Sequence, residues 1–309
     1  YVAFPQPTPP TVATLRRGVL DYHDPAAGAA AILGEKPTAS GNAADDYHQA
    51  IQVYQSSEEA IIEVQRNFDS LKTGAYPPAP ATFNSLQSIH RHVAAGAQRK
   101  EMRYVLVYTP KKLEVAYRFD PADGFQNVAG ALELLATYHA GRKEWTEAAQ
   151  VLRDEFAMGW HMMQERAVLD MVRRGMGIQG DALRELRYVY GQIGGQDDRI
   201  GKLVEYNNQL SEMRDLFGVK LGALISDRPN PGDVFNIAEN DKDRTWRVQA
   251  ILMMGVLKFT APNRGDVRYR NKLISHYLAS QDPLEAAAAT AANEFDVDDF
   301  KVVGRRLWD

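Results

Sequence analysis

The chain has 309 residues, of which 45% are hydrophobic and 25% are charged. This composition is ordinary for a folded protein and excludes a collagen, a coiled-coil rod and a wholly disordered chain. The 36 basic and 40 acidic residues give a net charge of −4, which argues against a nucleic-acid coat protein or a strongly basic membrane binder. No apolar run reaches the ~18–20 residues that span a bilayer. The absence of cysteine excludes disulfides, thiolate metal sites and cysteine nucleophiles.

Residues 1–43 are rich in proline, glycine, alanine and threonine, and they predict an extended N-terminal arm. The first ten residues, YVAFPQPTPP, contain four prolines and lack the basic-then-apolar pattern of a signal peptide. The stretch is typical of the residues that follow a removed signal, or of an interdomain arm. The compartment is not fixed by this, but a trimmed chain with such an arm favours an exported or periplasmic protein.

A helical pattern begins at Asp45 and Asp46, with apolar residues at helical spacing as far as Phe68. The sequence TGAYPPAPAT ends this helix, because proline cannot continue one. A second helix is predicted over about 83–95. The runs YVLVYT and LEVAYRF follow, separated by PKK and rich in β-branched and aromatic residues. They predict a small β-hairpin at about 103–119; the alternative is a continued helix.

Helical patterns dominate after Asp120. In Asp282-Pro283, an acceptor side chain precedes a proline at the first helical position, which is a helix-start signal. The turn-rich stretch SDRPNPGD at 226–233 is the best domain boundary. It divides a repeat-like helical domain with a hairpin insertion, 44–229, from a C-terminal helical domain, 230–309. The predicted helices cover 127–140, 144–157, 161–174, 181–193, 198–217, 243–258, 267–279 and 283–295.

A shift of 34 residues aligns two parts of the chain. Gly141 then meets Gly175, and four other small or apolar positions also match. The first copy, ALELLATYHAGRKEWTEAAQVL, has apolar residues on a first helix, a turn with glycine, and a second helix with a small residue where helices approach. The region of about 128–195 therefore resembles tetratricopeptide repeats, although Ala131 and Leu135 stand where the usual Trp and Gly would be.

The segment DRTWRVQAILMMGVLKF resembles the second helix of a HEAT-like repeat, and a related start, DPLEAAAATAANEF, follows 39 residues later. This second resemblance covers about 241–295. Both families imply an all-α fold in which helix pairs stack into a right-handed α-solenoid. Both also imply protein–protein binding and offer no catalytic residues to transfer.

Two motifs that carry chemistry elsewhere fit structural roles better here. Gly175, Gly177 and Gly180 match G-x-G-x-x-G, but the residues before them predict a helix and not the β-strand that a dinucleotide site requires. His90 and His92 form an H-x-H pair on a predicted helix, where residues two apart point in different directions. The sequence therefore predicts no cofactor and no metal site.

The most distinctive charge feature lies between Ile89 and Phe119. Seven basic residues face only two acidic ones there, with tyrosines interleaved. Such a segment could pair with phosphates and stack on bases, or it could be a solvated face or a docking site for acidic helices of this chain. Its cations are Arg91, Arg99, Lys100, Arg103, Lys111, Lys112 and Arg118.

Taken together, these patterns predict a non-catalytic scaffold or adaptor that holds a protein or peptide on a helical surface. Tyr138, Trp145, Tyr188 and Tyr190 are the candidate surface anchors, because aromatic residues dominate interface energies. For each of the four, a place in the core is the more usual one. The alternatives are polyanion or nucleic-acid binding through the basic segment, and an enzyme with carboxylates in a helical cleft. A carboxyl group with a perturbed pKa in a deep pocket would favour the enzyme.

Overall fold

The computed structural model describes residues 32–33, 39–67, 80–104, 106–109, 114–117, 121–165, 169–225, 229–260 and 263–296. These residues form eleven helices and four short strands, so the protein is all-α with a small β component, as predicted. The helices are α1 (Ala43–Ser56), α2 (Glu58–Asn67), α3 (Pro80–Ala97), α4 (Ala122–Gly141), α5 (Trp145–Glu165), α6 (Leu169–Ile193), α7 (Asp197–Ile225), α8 (Pro231–Asn240), α9 (Arg244–Thr260), α10 (Arg264–Leu278) and α11 (Pro283–Glu294).

The strands form two separate pairs. Strands β3 (Leu106–Thr109) and β4 (Glu114–Tyr117) pair with one another, which confirms strands where the sequence predicted a hairpin and excludes the continued helix. Strands β1 (Ala39–Asn42) and β2 (Arg99–Glu101) pair in parallel and were not predicted, because each is too short to show alternation. The rest of the predicted arm, apart from residues 32–33 and 43, lies outside the described residues.

The chain divides into two compact units. The N-terminal unit comprises the described residues of Asp24–Val105 and Tyr117–Glu212, and the C-terminal unit those of Leu106–Ala116 and Met213–Asp309. The chain passes from one unit to the other inside α7, between Glu212 and Met213. The domain boundary at 226–233 stays a prediction. Whether the helix pairs stack as a right-handed solenoid stays a prediction.

Helix α7 carries a narrow buried stripe. Its buried residues recur at spacings of three and four, and all other positions from Asp197 to Leu224 are exposed or half-buried. This is the spacing of a coiled-coil seam, which buries one edge of a long helix. Asn230, directly before α8, caps that helix by accepting from the Gly232 N–H. The stripe consists of Leu203, Tyr206, Leu210, Met213, Phe217, Lys220 and Leu224.

In the N-terminal unit, α5 makes its most extensive contact with α6. Two glycines allow the backbones of these helices to approach closely. A Cβ on Gly175 would lie 2.7 Å from the carbonyl oxygen of Gly159, and a Cβ on Gly159 would lie 2.9 Å from the carbonyl oxygen of Gly175. Glycine costs about 1 kcal/mol in a helix interior, but here it lets two backbones touch. Helix α6 therefore runs unbroken through the glycine motif, and the break predicted between 174 and 181 was wrong.

Gly194 and Gly195 make the actual turn after α6. Their φ angles are 73° and 62°, in the left-handed region that favours glycine. Earlier in the chain, Gly141 ends α4 at the turn to α5, which is where the repeat alignment predicted a turn with glycine. The 34-residue alignment thus matches a real helix end at Gly141 with a close helix contact at Gly175.

The C-terminal unit contains helices α8 to α11 and the last part of α7. Its core holds Trp246 on α9, which packs edge-on against Phe217 of α7 with ring centroids 5.0 Å apart. The predicted helix start at Asp282-Pro283 is confirmed, because the Asp282 carboxylate accepts from the Leu284 and Glu285 N–H groups. Within the described part of the chain, no helix combines the length and the apolar character needed to cross a membrane.

Candidate functional site

The basic segment is only partly described, and its described cations do not form a free patch. Arg103 is exposed and pairs with Glu101 at 2.8 Å. Arg99 donates to Asp46 at 2.8 Å and to the Ser40 carbonyl, so it links β2 to α1 and to β1. Arg91 and Lys100 are exposed, whereas Lys111, Lys112 and Arg118 lie outside the described residues. Half of the described cations therefore serve contacts inside the N-terminal unit.

Buried histidine contacts also organise this part of the fold. The His161 Nε2–H donates to the Arg99 carbonyl at 3.0 Å, so Nδ1 is the acceptor for the Tyr47 hydroxyl at 2.7 Å. Burial lowers the pKa of His161 to about 4, so the ring is neutral. His90 contacts Asp154 at 2.8 Å. His161 is therefore a packed, fully hydrogen-bonded histidine of the core.

Four aromatic side chains surround the turn between α4 and α5; we call them the aromatic surface. Phe83 of α3 packs on Tyr138 of α4 with centroids 4.2 Å apart, and Trp145 of α5 meets Tyr188 of α6 edge-on at 6.4 Å. Arg142 lies over the Tyr138 ring at 5.5 Å and donates to its hydroxyl at 3.0 Å. Rigid aromatic groups and arginine are the residues that dominate binding energy at interfaces.

Exposure separates the four predicted anchors. Tyr188 is 57% exposed, the largest value among the exposed large hydrophobic residues in the described chain. Tyr138 and Trp145 are half-buried, each packed against another ring. Tyr190 is only 4% exposed, so it belongs to the core, the alternative that the sequence favoured, and is not a surface anchor. It lies two residues from Tyr188, and two residues along a helix turn a side chain to another face.

A second feature, which the sequence analysis missed, is a buried carboxyl cluster between α4, α5 and α6. Its innermost member is Glu155, which is 0% exposed, and neither carboxyl oxygen has a hydrogen-bond partner in the described structure. Glu133 of α4 is half-buried, and Asp181 and Glu185 of α6 lie at the rim with side chains 37% and 46% exposed. Arg184 pairs with both rim carboxylates.

The cluster changes the acidity of its two inner members. Burial raises the pKa of Glu155 well above the usual carboxyl value, and Glu133, Asp181 and Glu185 raise it further, whereas Arg184 lowers it. Burial also raises the pKa of Glu133 to about 7, with smaller contributions from the same rim carboxylates. Burial therefore favours the protonated form of Glu155, and Glu133 gains or loses its proton near neutral pH.

The sequence did contain a signal for Glu155. Ala148, Leu152, Glu155, Gly159 and Met162 recur at alternating spacings of four and three, which is the buried stripe of α5. A glutamate on such a stripe is conspicuous, since charged residues are almost never fully buried without a partner. In the described part of the chain, no three His, Asp or Glu side chains lie close enough together to hold a metal ion.

Comparison with protein-family models, with curated proteins and with solved structures finds no match for this chain.

Proposed function

We propose that the N-terminal unit binds a protein or peptide segment on the aromatic surface. The observation that carries this proposal is Tyr188, a 57% exposed tyrosine that is held edge-on by Trp145. A tyrosine in a fixed orientation loses little side-chain entropy when a partner covers it, so most of the buried area contributes to affinity. The resemblances to tetratricopeptide and HEAT-like repeats imply the same kind of function.

The surroundings of Tyr188 suit a protein partner. Tyr138 and Arg142 form a second pre-arranged group beside the same turn, so a segment longer than one side chain would find two anchor points. The Arg142 guanidinium is held by Glu144 at 2.8 Å as well as by the tyrosine. Pre-arranged aromatic and arginine groups at the centre of a contact, with polar groups around them, are the usual anatomy of an interface.

The test is a selection of peptides from a random display library on the immobilised full chain, followed by affinity measurements with variants. We expect Tyr188→Ala to weaken the selected peptides at least tenfold. Phe259→Ala is the matched control, because Phe259 is an exposed aromatic residue (38%) of the C-terminal unit. Equal loss in both variants, or no loss with Tyr188→Ala, would contradict the proposal.

Salt dependence separates this proposal from polyanion binding by the basic segment, which remains the alternative. Each phosphate contact releases counterions, so affinity for a nucleic acid falls steeply with salt. Binding at the aromatic surface depends mainly on buried area and changes much less. A nucleic-acid ligand whose affinity falls with salt and with Arg91→Ala, but not with Tyr188→Ala, would favour the alternative.

A further inference from the structure

The carboxyl cluster needs an explanation that the fold itself does not supply. Buried polar side chains in folded proteins are hydrogen-bonded with few exceptions, and an unsatisfied one costs about 1–3 kcal/mol. Glu155 has two buried oxygens without a partner in the described structure, and three further carboxyl groups interact with it. The groups that face it are Glu133 from α4 and Asp181, Arg184 and Glu185 from α6. One cation among four carboxyl groups leaves the cluster short of positive charge.

The geometry narrows the class of ligand that could supply that charge. The described residues offer no set of three carboxylates at metal-binding distances, so a point-like metal ion does not match the cluster. A guanidinium group matches the cluster, because it presents five N–H donors in a planar fork that spans two carboxylates. The rim shows this pairing already: Arg184 donates to Asp181 at 2.9 Å and to Glu185 at 3.4 Å.

The cluster is also continuous with the aromatic surface. Asp181, Glu185 and Tyr188 are spaced by four and three residues on α6, so they lie on one stripe of the helix. Seven residues of helix rise about 10 Å, which corresponds to about three residues of extended chain. Consider an extended peptide segment that covers Tyr188 and follows this stripe. The residue of that segment three or four positions from the one on Tyr188 then reaches the rim carboxylates.

We propose that the carboxyl cluster receives an arginine side chain of the peptide segment held on the aromatic surface. The inference rests on the proposed function and adds the chemistry of the partner: an arginine about three or four residues from the residue that covers Tyr188. Its guanidinium contacts Asp181 and Glu185 at the rim. It also reaches Glu133, which is half-buried, whereas Glu155 is fully buried. A cation there favours the ionised form of Glu133, so binding releases a proton near neutral pH.

The experiment uses the peptides selected on the full chain, each made with arginine and with citrulline, which is neutral and nearly the same shape. We expect the citrulline peptide to bind at least tenfold more weakly to the wild type, and Glu133→Gln to remove this difference. Glu205→Gln, an exposed glutamate of α7 in the same unit, is the matched control. Calorimetry in two buffers of different ionisation enthalpy should show proton release by the wild type and none by Glu133→Gln.

Three results would overturn the inference. They are selected ligands without arginine, equal affinity for the arginine and citrulline peptides, and unchanged binding or proton release in Glu133→Gln. If Tyr188→Ala still weakens binding in these cases, the proposed function stands and only the arginine site fails. A selection that yields no ligand, or ligands insensitive to Tyr188→Ala, overturns the proposed function and the inference with it.

Discussion

Buried ionisable side chains in the two units differ in whether the described structure gives them partners. In the C-terminal unit, Lys220 is 1% exposed, but its ammonium lies 2.6 Å from Asp241 and 5.3 Å from the centre of the Trp246 ring. Arg270 is 3% exposed, and it donates to the carbonyl oxygens of Met254 and Ala292. In the N-terminal unit, Glu155 is equally buried and has no such contacts within the described structure.

The difference shows which buried charges the fold itself explains. Lys220 and Arg270 connect helices: the first joins α7 to the end of α8, and the second joins α10 to α9 and α11. Their role is complete within the described chain. Glu155 lacks such contacts, and its burial opposes folding wherever the carboxyl group would ionise. A buried ionisable group with partners has a structural role, and Glu155, which has none in the described structure, is the candidate for a site.

The largest expected change in stability comes from breaking the buried pair of Lys220 and Asp241. Lys220→Met leaves Asp241 buried without its cation, and breaking a buried pair in this way costs about 3–5 kcal/mol in the free energy of unfolding. Urea denaturation measures the loss. Lys242→Met is the matched control, because Lys242 is an exposed lysine of the same unit. A loss no larger than in the control would show that Lys220 is not needed and would remove the contrast with Glu155.

At the carboxyl cluster, removing an ionisable group is expected to raise stability at neutral to basic pH. The pKa of Glu133 is about 7 in the fold against 4.5 in an unfolded chain, so the native state binds more protons between these values. The stability that Glu133 contributes is then fully present below about pH 4.5 and is lost as the pH rises to 7, by on the order of 3 kcal/mol. Glu133→Gln should remove that part of the slope and raise stability at about pH 8.

Glu155→Gln should also stabilise the protein at neutral pH, since the amide needs no proton to be uncharged. Denaturation curves between about pH 4 and pH 8 measure both variants against Glu205→Gln. A pH dependence that is the same in the wild type and in Glu133→Gln, or variants that lose stability at about pH 8, would show that the cluster is satisfied after all.

A smaller loss of stability is expected when the close contact between α5 and α6 is widened. Gly175→Ala places a methyl group against the Gly159 backbone, and such overpacking costs about 2 kcal/mol. Gly177→Ala is the internal control, because a Cβ there meets nothing within 4 Å and alanine favours the helix by up to about 1 kcal/mol. Thermal melts compare the two. Similar effects in both variants would contradict the close crossing, which lies one turn from Glu155 on α5.

The smallest effect on folding is expected at Tyr188. Tyr188→Ala should change the free energy of unfolding by less than about 0.5 kcal/mol, as for other exposed positions, while it removes peptide binding. Chemical denaturation of the variant used for the binding test provides the measurement. A large loss of stability would make Tyr188 a packing residue and would withdraw its role as an anchor.

The sequence predicted what depends on neighbouring residues. The strands at 106–109 and 114–117 follow from β-branched and aromatic runs, and the start of α11 follows from an acceptor before a proline. It failed where a distant contact overrides a local preference. Gly175 reads as a helix end because glycine disfavours helix, but the backbone of α5 occupies the space that a side chain would need.

The candidate site was predictable only in part. Tyr138, Trp145 and Tyr188 were named from residue type, but type alone did not distinguish them from Tyr190, which is buried. Glu155 was missed because its environment is built by α4 and α6, which supply Glu133, Asp181 and Glu185. The basic segment looked uncommitted because Asp46, the partner of Arg99, is 53 residues away in sequence.

The contact between Gly159 and Gly175 also has a consequence for how this chain can evolve. Each glycine is required only because the other helix lies against it, so the two positions form a single constraint divided between two helices. A lineage that enlarges one side chain gains nothing from keeping the other small, since the helices have then already separated. Descendants of this sequence should retain both small residues or lose both together, and Gly177, a few residues away, should vary freely.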